Sequence, residues 1–184
     1  MANFVRRRDL FRLGAAAGVA AIAAPAWAQG LDLQGPRRAV LNNLHTGDAF
    51  DEVYFANGRY LPDALAEATR VMRDWRNGQE HFIDPSLFDA LHAINGKLET
   101  RSAFQIISGY RSPQTNAMLH ERSHQVASGS QHMLGKAIDI RVEGVDLNRL
   151  HRAALAVGAG GVGYYPTSNF VHVDTGRVRQ WQGS

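Results

Sequence analysis

Two patterns between His120 and Asp139 contain side chains able to hold a divalent cation. The first, His120-Glu121-Arg122-Ser123-His124, is an HExxH pattern. On a helix, positions i and i+4 share a face, so two imidazoles can grip one ion while the glutamate activates a water. The second, Ser130-x-His132-x-x-Gly135-x-Ala137-x-Asp139, places an imidazole and a carboxylate seven residues apart around a glycine. A later imidazole, His172, stands in "NFVHVDTG". The chain has no cysteine, so a bound cation must take His, Asp or Glu ligands, which points to zinc or a similar borderline ion.

Context separates the two patterns. The helix carrying His120 opens only at Ser112, and "QVASGSQ" ends it just after His124. Glu143 is spaced to serve as a third ligand, but the segment between reads as loop and strand, whereas HExxH chemistry draws that ligand from a second helix. In a chain with eight histidines so short a pattern arises by chance in roughly a few per cent of cases.

The second pattern agrees with its surroundings. In "AIDIRV", alternation sends Ile138, Ile140 and Val142 to one face and Ala137, Asp139 and Arg141 to the other. A carboxylate in mid-strand between two isoleucines needs a partner for its charge. In "NFVHVDTG", Phe170, His172 and Asp174 share one face and Val171 and Val173 the other. If these strands are neighbours, Asp139 and His172 converge and His132 reaches them from the loop before the first strand. Two imidazoles and one carboxylate would leave the fourth tetrahedral position to water. Taken singly, each residue has a simpler reading: Asp139 paired with Arg141 or Arg111, and His172 as a hydrogen-bonded core residue.

The elements that must position these groups follow from periodicity. "AVLNNLH" and "EVYFANG" read as strands joined around Gly47-Asp48. "LPDALAEATRVMRDW" sets Leu61, Leu65, Ala68, Met72 and Trp75 on one helical stripe. "DPSLFDALHAINGKLE" opens with Asp84 as cap and Pro85 in the first turn, aligns Leu87, Leu91, Ile94 and Leu98, and leaves His92 towards solvent. "AFQIISGY" is a strand, "SPQTNAMLHERS" a short helix and "KAIDIRVEG" the next strand. "DLNRLHRAALAVGAGG" is a helix from Asp146 to Gly158, and the last stretch gives two strands turning at Pro166. The pattern is α+β, a small, mainly antiparallel sheet with flanking helices.

"RRRDLFRLGAAAGVAAIAAPAWAQ" has a basic start, an apolar middle and the small-x-small ending Ala26-Trp27-Ala28, and so reads as an export signal over 1–28. Arg7-Arg8-Asp9-Leu10-Phe11 fits its twin-arginine form. Residues 29–38, rich in Gly, Pro and Arg, read as a linker, and 39–184 as one domain with a core of its own. The leader carries Arg6, Arg7, Arg8 and Arg12 against Asp9, a net +3, equal to the +3 of the whole chain. The remainder is therefore near neutral, which removes the argument for nucleic acid as a partner. No membrane anchor is expected once the signal is gone.

Ser130-x-His132-x-x-Gly135-x-Ala137-x-Asp139 with His172 resembles the zinc peptidases of the D-alanyl-D-alanine carboxypeptidase and endopeptidase group, which share a core with the hedgehog signalling domain. Across "LNNLHTG", "ISGYRSPQTN" and "AGGVGYYPTSNFVHVDTG" the chain is more closely similar to the periplasmic murein endopeptidase K family. The resemblance implies zinc on His132, Asp139 and His172. It also implies Arg111 as a contact for the substrate's carbonyl or carboxylate, where a planar permanent charge suits the task. Ser130 corresponds to the position that bonds substrate or orders the metal loop, and Gly135 to a backbone turn a side chain would strain. The chain departs from the group at the general base, where Asn169 and Phe170 replace the usual proton acceptors. Asp174 is the nearest carboxylate, either as that base or as a partner orienting His172, and Glu121 is a weaker candidate. The implied function is zinc-dependent hydrolysis of peptidoglycan stem-peptide cross-links in the periplasm. The implied bond is D-alanine to diaminopimelate, with diaminopimelate to diaminopimelate as a further one. A D,D-carboxypeptidase and a non-catalytic, zinc-stabilised peptidoglycan-binding module are the alternatives.

Overall fold

β1 (Arg37–Asn43) and β2 (Ala49–Ala56) form the expected hairpin around Gly47, antiparallel from Arg37–Phe55 to Asn42–Ala49. The computed structural model describes residues 35–123 and 126–184. The leader, most of the linker and His124 therefore lie outside the described residues. β1 begins two residues inside the stretch read as linker, because Arg37 is already buried there and bonded to Asp89 at 2.7 Å.

Four helices flank the strands. α1 (Pro62–Val71) stops four residues short of the predicted stripe's end and buries Ala64, Ala68 and Val71, with Leu65 only half-buried. It stops because Asp74 bends the chain, its carbonyl accepting from Gly78 and its carboxylate from the amide of Arg76. Trp75 thus falls beyond the helix and stacks on His45, ring centroids 4.0 Å apart. α2 (Pro85–Leu98) is capped by Asp84, which accepts from Ser86 N, and buries Leu87, Leu91, Ile94 and Leu98. α3 (Pro113–Arg122) and α4 (Leu147–Val157) are capped by Ser112 and Asp146. α4 packs on α2 and on the strands that follow.

The remaining strands are β3 (Arg59–Tyr60), β4 (Phe104–Ser108), β5 (Ala137–Val142), β6 (Gly161–Tyr165), β7 (Phe170–Asp174) and β8 (Arg179–Gln182). They join one eight-stranded sheet, ordered β3-β2-β1-β4-β5-β7-β6-β8. Only β1–β4 and β6–β8 pair in parallel, so the sheet is mainly antiparallel and the fold is α+β. It is wider than the sequence suggests because β3 has two residues and β8, "RQWQ", has no apolar alternation. One sheet face carries Ile106, Ile138, Ile140, Val162, Val171 and Val173 into the core with the helices.

At the β1–β2 end of that core sits a buried carboxylate. Asp89 of α2 accepts from Arg37 Nη1 at 2.7 Å, Tyr54 Oη at 2.9 Å and Tyr60 Oη at 2.6 Å. One side chain thereby ties α2 to β1, β2 and β3. Burial, and then the Asp89 charge, push both phenols well above the ordinary tyrosine range.

Candidate metal centre

β5 and β7 are adjacent, and the register sets Asp139 directly opposite His172. The same row continues to Ser108 of β4 on one side and to Gly163 of β6 and Trp181 of β8 on the other. Five neighbouring strands therefore each contribute one residue to a line across the polar face.

His132 enters this row from a 3-10 turn, Gln131–Leu134, that precedes β5. Ser130 caps the turn, its hydroxyl accepting from His132 N at 3.3 Å. Gly135 ends it at φ +64°, and a Cβ there would stand 2.0 Å from the Phe82 carbonyl oxygen. Both the backbone conformation and the close approach demand glycine.

The three candidate ligands meet. His172 Nδ1 lies 2.8 Å from Asp139 Oδ1, and His132 Nε2 lies 3.2 Å from each of those atoms. The outer nitrogens are held from behind: His132 Nδ1 by the Gly109 carbonyl at 2.7 Å, and His172 Nε2 by Asp174 Oδ2 at 3.0 Å. Carbonyl or carboxylate support of the outer ring nitrogen is how metal-binding histidines are oriented and made basic. Among the described residues, His132, Asp139 and His172 are the group whose ligand atoms converge closely enough to hold a metal. Donors about 3.3 Å apart are what a tetrahedral ion with bonds of about 2.0 Å requires, so the donor set and its spacing fit zinc.

Burial and charge act differently on the three groups. Burial pushes the His132 pKa down despite Asp139 beside it, favouring the neutral ligand form. Burial works against the Asp139 carboxylate, but His132 and His172 outweigh it and hold the group far below the ordinary carboxylate range. Burial opposes charge on His172 too, yet Asp139 and Asp174 on its two sides raise it.

Arg111 follows β4, and Tyr110 N to Met72 O (2.7 Å) and Arg111 N to His132 O (3.3 Å) pin its backbone. Buried Asp74 secures the next residue, accepting from Ser112 N at 2.9 Å and Ser112 Oγ at 2.8 Å. Among the described residues the guanidinium makes only long contacts: Asn116 Oδ1 and Ser108 Oγ at 3.4 Å, and Asp139 Oδ2 at 3.6 Å. Its Nε is buried and has no hydrogen-bond partner among the described residues. A cation so sparsely engaged at the rim of a cleft is set to receive an anionic or carbonyl oxygen.

The cleft itself encloses about 510 Å³ and is lined by Arg111, Ser130, His132, Asp139, His172 and Trp181, among others. Asp174 does not line it. Fully buried, it accepts from Gly161 N, Gly176 N and Arg179 as well as facing His172. Asn169 is exposed at the β6–β7 turn, and Phe170 lines the cleft. Glu121 and His120 are exposed near the end of α3, where His120 Nδ1 bonds the Val126 carbonyl. His120 is thus not brought to the ligand cluster, and Arg141 turns instead to Gln105 at 2.8 Å. The sequence reading missed Arg179, Trp181 and Asn116. Arg179 and Trp181 lie outside the quoted motifs and come to the site through the β8 pairing, while Asn116 closes the motif "ISGYRSPQTN" and reaches the site from α3.

The family model described as Peptidoglycan L,D-endopeptidase MepK matches residues 32–181. Proteins of the same name from Escherichia coli (strain K12) and Shigella flexneri are each 47% identical over 176 residues, covering 95% of this chain and 96% of theirs. The "Probable peptidoglycan L,D-endopeptidase MepK" of Haemophilus influenzae is 44% identical over 149 residues, 80% of each chain. No solved structure gives a significant match. The chain belongs to this peptidase family.

Proposed function

We propose that this family member is a zinc-dependent peptidoglycan endopeptidase that hydrolyses L,D-amide cross-links, such as diaminopimelate to diaminopimelate, in the periplasm. The observation that carries the reading is the convergence of His132 Nε2, His172 Nδ1 and Asp139 Oδ1 at the floor of an open cleft. The relatives' names put the L,D bond first and the D-alanyl bond, which the motif resemblance puts first, second. Export through a twin-arginine leader remains part of the proposal. Among the described residues no helix is long and apolar enough to cross a membrane.

His132, His172 and Asp139 would hold the zinc, with the Gly109 carbonyl and Asp174 fixing the two rings. Zinc in such a site supplies Lewis acidity towards a carbonyl and towards a water. Arg111 would grip the substrate's carboxylate or carbonyl and stabilise negative charge that develops beside it. Ser130 orders the 3-10 turn and offers its hydroxyl at the cleft wall. Asp174, with both oxygens engaged away from the cleft, would act as a positioning residue for His172 rather than as the proton acceptor.

A second reading, a zinc-stabilised module that binds peptidoglycan without cutting it, draws on one feature. Asp139 is the sole carboxylate side chain lining the cleft among the described residues, so no free one stands there to take a proton. Digestion of purified cross-linked peptidoglycan, with and without chelator, separates the readings when products are resolved by mass. Conversion of L,D-linked dimers to monomers, lost with chelator and restored by zinc, is expected. Zinc retention with no product under any condition would favour the binding module. Release of terminal D-alanine alone would make the enzyme a carboxypeptidase.

A further inference from the structure

The row Asp139–His172–Gly163–Trp181 has a gap at its third position, and the indole of its fourth fills it. A Cβ on Gly163 would stand 2.6 Å from the Trp181 ring, so the indole lies flat on bare backbone where any other residue would hold it off. It reaches across one strand to His172, ring centroids 5.1 Å apart. Three contacts fix it there: Nε1 donates to Tyr165 Oη at 2.8 Å, the Arg179 guanidinium lies 4.9 Å over the ring, and the glycine leaves no room beneath. Tyr165 in turn stacks on Phe170 at 4.4 Å, and Tyr165, Phe170 and Trp181 all line the cleft. The opposite wall, Arg111 with Ser130, is polar.

We infer that Trp181, seated on Gly163 and backed by Tyr165 and Phe170, is the specificity-determining wall for the part of the substrate that follows the scissile bond. Its ligand is the three-methylene chain of a diamino acid. The inference rests on the reading of the cleft as a cross-link hydrolase. In an L,D cross-link the residue after the bond has a D-centre with a carboxylate and, as its side chain, three methylenes leading to the second strand. The cleft matches both halves, with an under-engaged cation on one side and a rigid aromatic face on the other. A flat, pre-organised ring gives such a chain apolar contact at little ordering cost. A terminal D-alanine presents the same D-centre and carboxylate but only a methyl group, and would leave the indole uncovered. The wall therefore favours cutting between strands over trimming an end.

Two synthetic peptides test this, both with the same L,D amide. One carries the full diamino acid after the bond and the other D-alanine. Binding to the metal-free protein is measured by calorimetry, and kcat and KM are measured for the zinc-loaded protein. The native chain is expected to prefer the first peptide by on the order of tenfold or more, since single methylenes in apolar pockets discriminate by that amount. Trp181→Ala is expected to collapse the preference to within about threefold, acting mainly through KM, with zinc retained. Gly163→Ala, which keeps the tryptophan but lifts it, is expected to do the same, and Trp181→Phe to restore part of it. A preference that survives both Trp181→Ala and Gly163→Ala overturns the inference. So does an equal loss on both peptides accompanied by loss of zinc, which would make the indole only a support for His172. Failure of the native chain to cut either peptide while still binding the longer one preferentially would sink the hydrolase reading and leave the wall standing.

Discussion

Asp89 and Asp139 are both buried carboxylates among aromatic and cationic neighbours, and they differ in what is left over. Asp89 is enclosed: Arg37 and two phenols donate to it, it is almost wholly buried, and its bonds join one helix to three strands. Asp139 is crowded instead by two imidazoles and a sparsely engaged arginine. Its Oδ1 faces two imidazole nitrogens whose far sides are already committed, and its Oδ2 faces an arginine 3.6 Å away. Asp89 needs nothing more. The Asp139 group concentrates lone pairs at a point that a cation would complete, at the edge of about 510 Å³ of open space. Asp89 is ringed by groups that can only donate to it, whereas Asp139 Oδ1 meets two ring nitrogens that can themselves bind a cation.

The largest effects should separate the two centres cleanly. His132→Ala and Asp139→Ala are expected to abolish zinc retention and hydrolysis, a loss exceeding the about 100-fold that outer partners typically cost. The melting temperature of the metal-free protein should change little for His132→Ala. His120→Ala, at the exposed end of α3, is expected to alter neither. Metal content after dialysis and turnover of cross-linked dimers measure both, and a reversed order of effects would return the HExxH pattern to consideration.

Asp89→Ala should do the opposite. It removes the carboxylate to which a buried arginine and two phenols donate, and breaking a buried pair from one side costs about 3–5 kcal/mol. For a domain of this size the melting temperature should drop by roughly 10 °C. The fraction that remains folded is expected to bind zinc as tightly as the native chain, because Asp89 shares no side-chain bond with His132, Asp139 or His172. Weakened zinc binding in that folded fraction would show that the two ends of the sheet are coupled.

The sequence makes one of these centres legible and hides the other. Alternation in "AIDIRV" and "NFVHVDTG" shows which face each charged residue occupies, and adjacency of β5 and β7 then suffices to bring Asp139 onto His172. Ser130 is marked only by the family resemblance and Gly135 only as a turn glycine, and the 3-10 turn they cap and end is legible in the structure alone. The Asp89 cluster has no such local signature: its partners Arg37 and Tyr54 stand 52 and 35 residues away, and nothing in "SLFDALHA" marks the aspartate as buried rather than solvated. β8 is invisible for a different reason. Its strand exists through parallel pairing with β6, and its one large side chain is placed by the absence of another at Gly163.

Asp174→Asn probes the support behind the ligands. The amide can still accept from Gly161 and Gly176, but it no longer offers a charge to His172 and Arg179. Zinc affinity is expected to weaken by about 10–100-fold, read by competition with a chelator, with activity recovering at saturating zinc. If Asp174 were the proton acceptor, kcat would stay low however much zinc was supplied.

The smallest effect belongs to the closed centre and concerns alkaline pH. Burial and the Asp89 charge hold the Tyr54 and Tyr60 phenols above the value of about 10 they take in an unfolded chain. A folded-state pKa raised in this way stabilises the fold fully below about pH 10 and loses that contribution as pH rises beyond it, because the unfolded chain alone can then release the proton. Tyr60→Phe removes one of the two phenols and one hydrogen bond to Asp89, while Arg37 and Tyr54 remain. Stability at neutral pH should fall by about 1 kcal/mol, and the decline between about pH 10 and pH 11 should become shallower than in the native chain. Denaturant titrations across that range measure both, and zinc affinity near neutrality should be unchanged. An unaltered alkaline slope would mean that Tyr60 ionises as freely in the fold as out of it, and that the Asp89 cluster is less closed than its bonds imply.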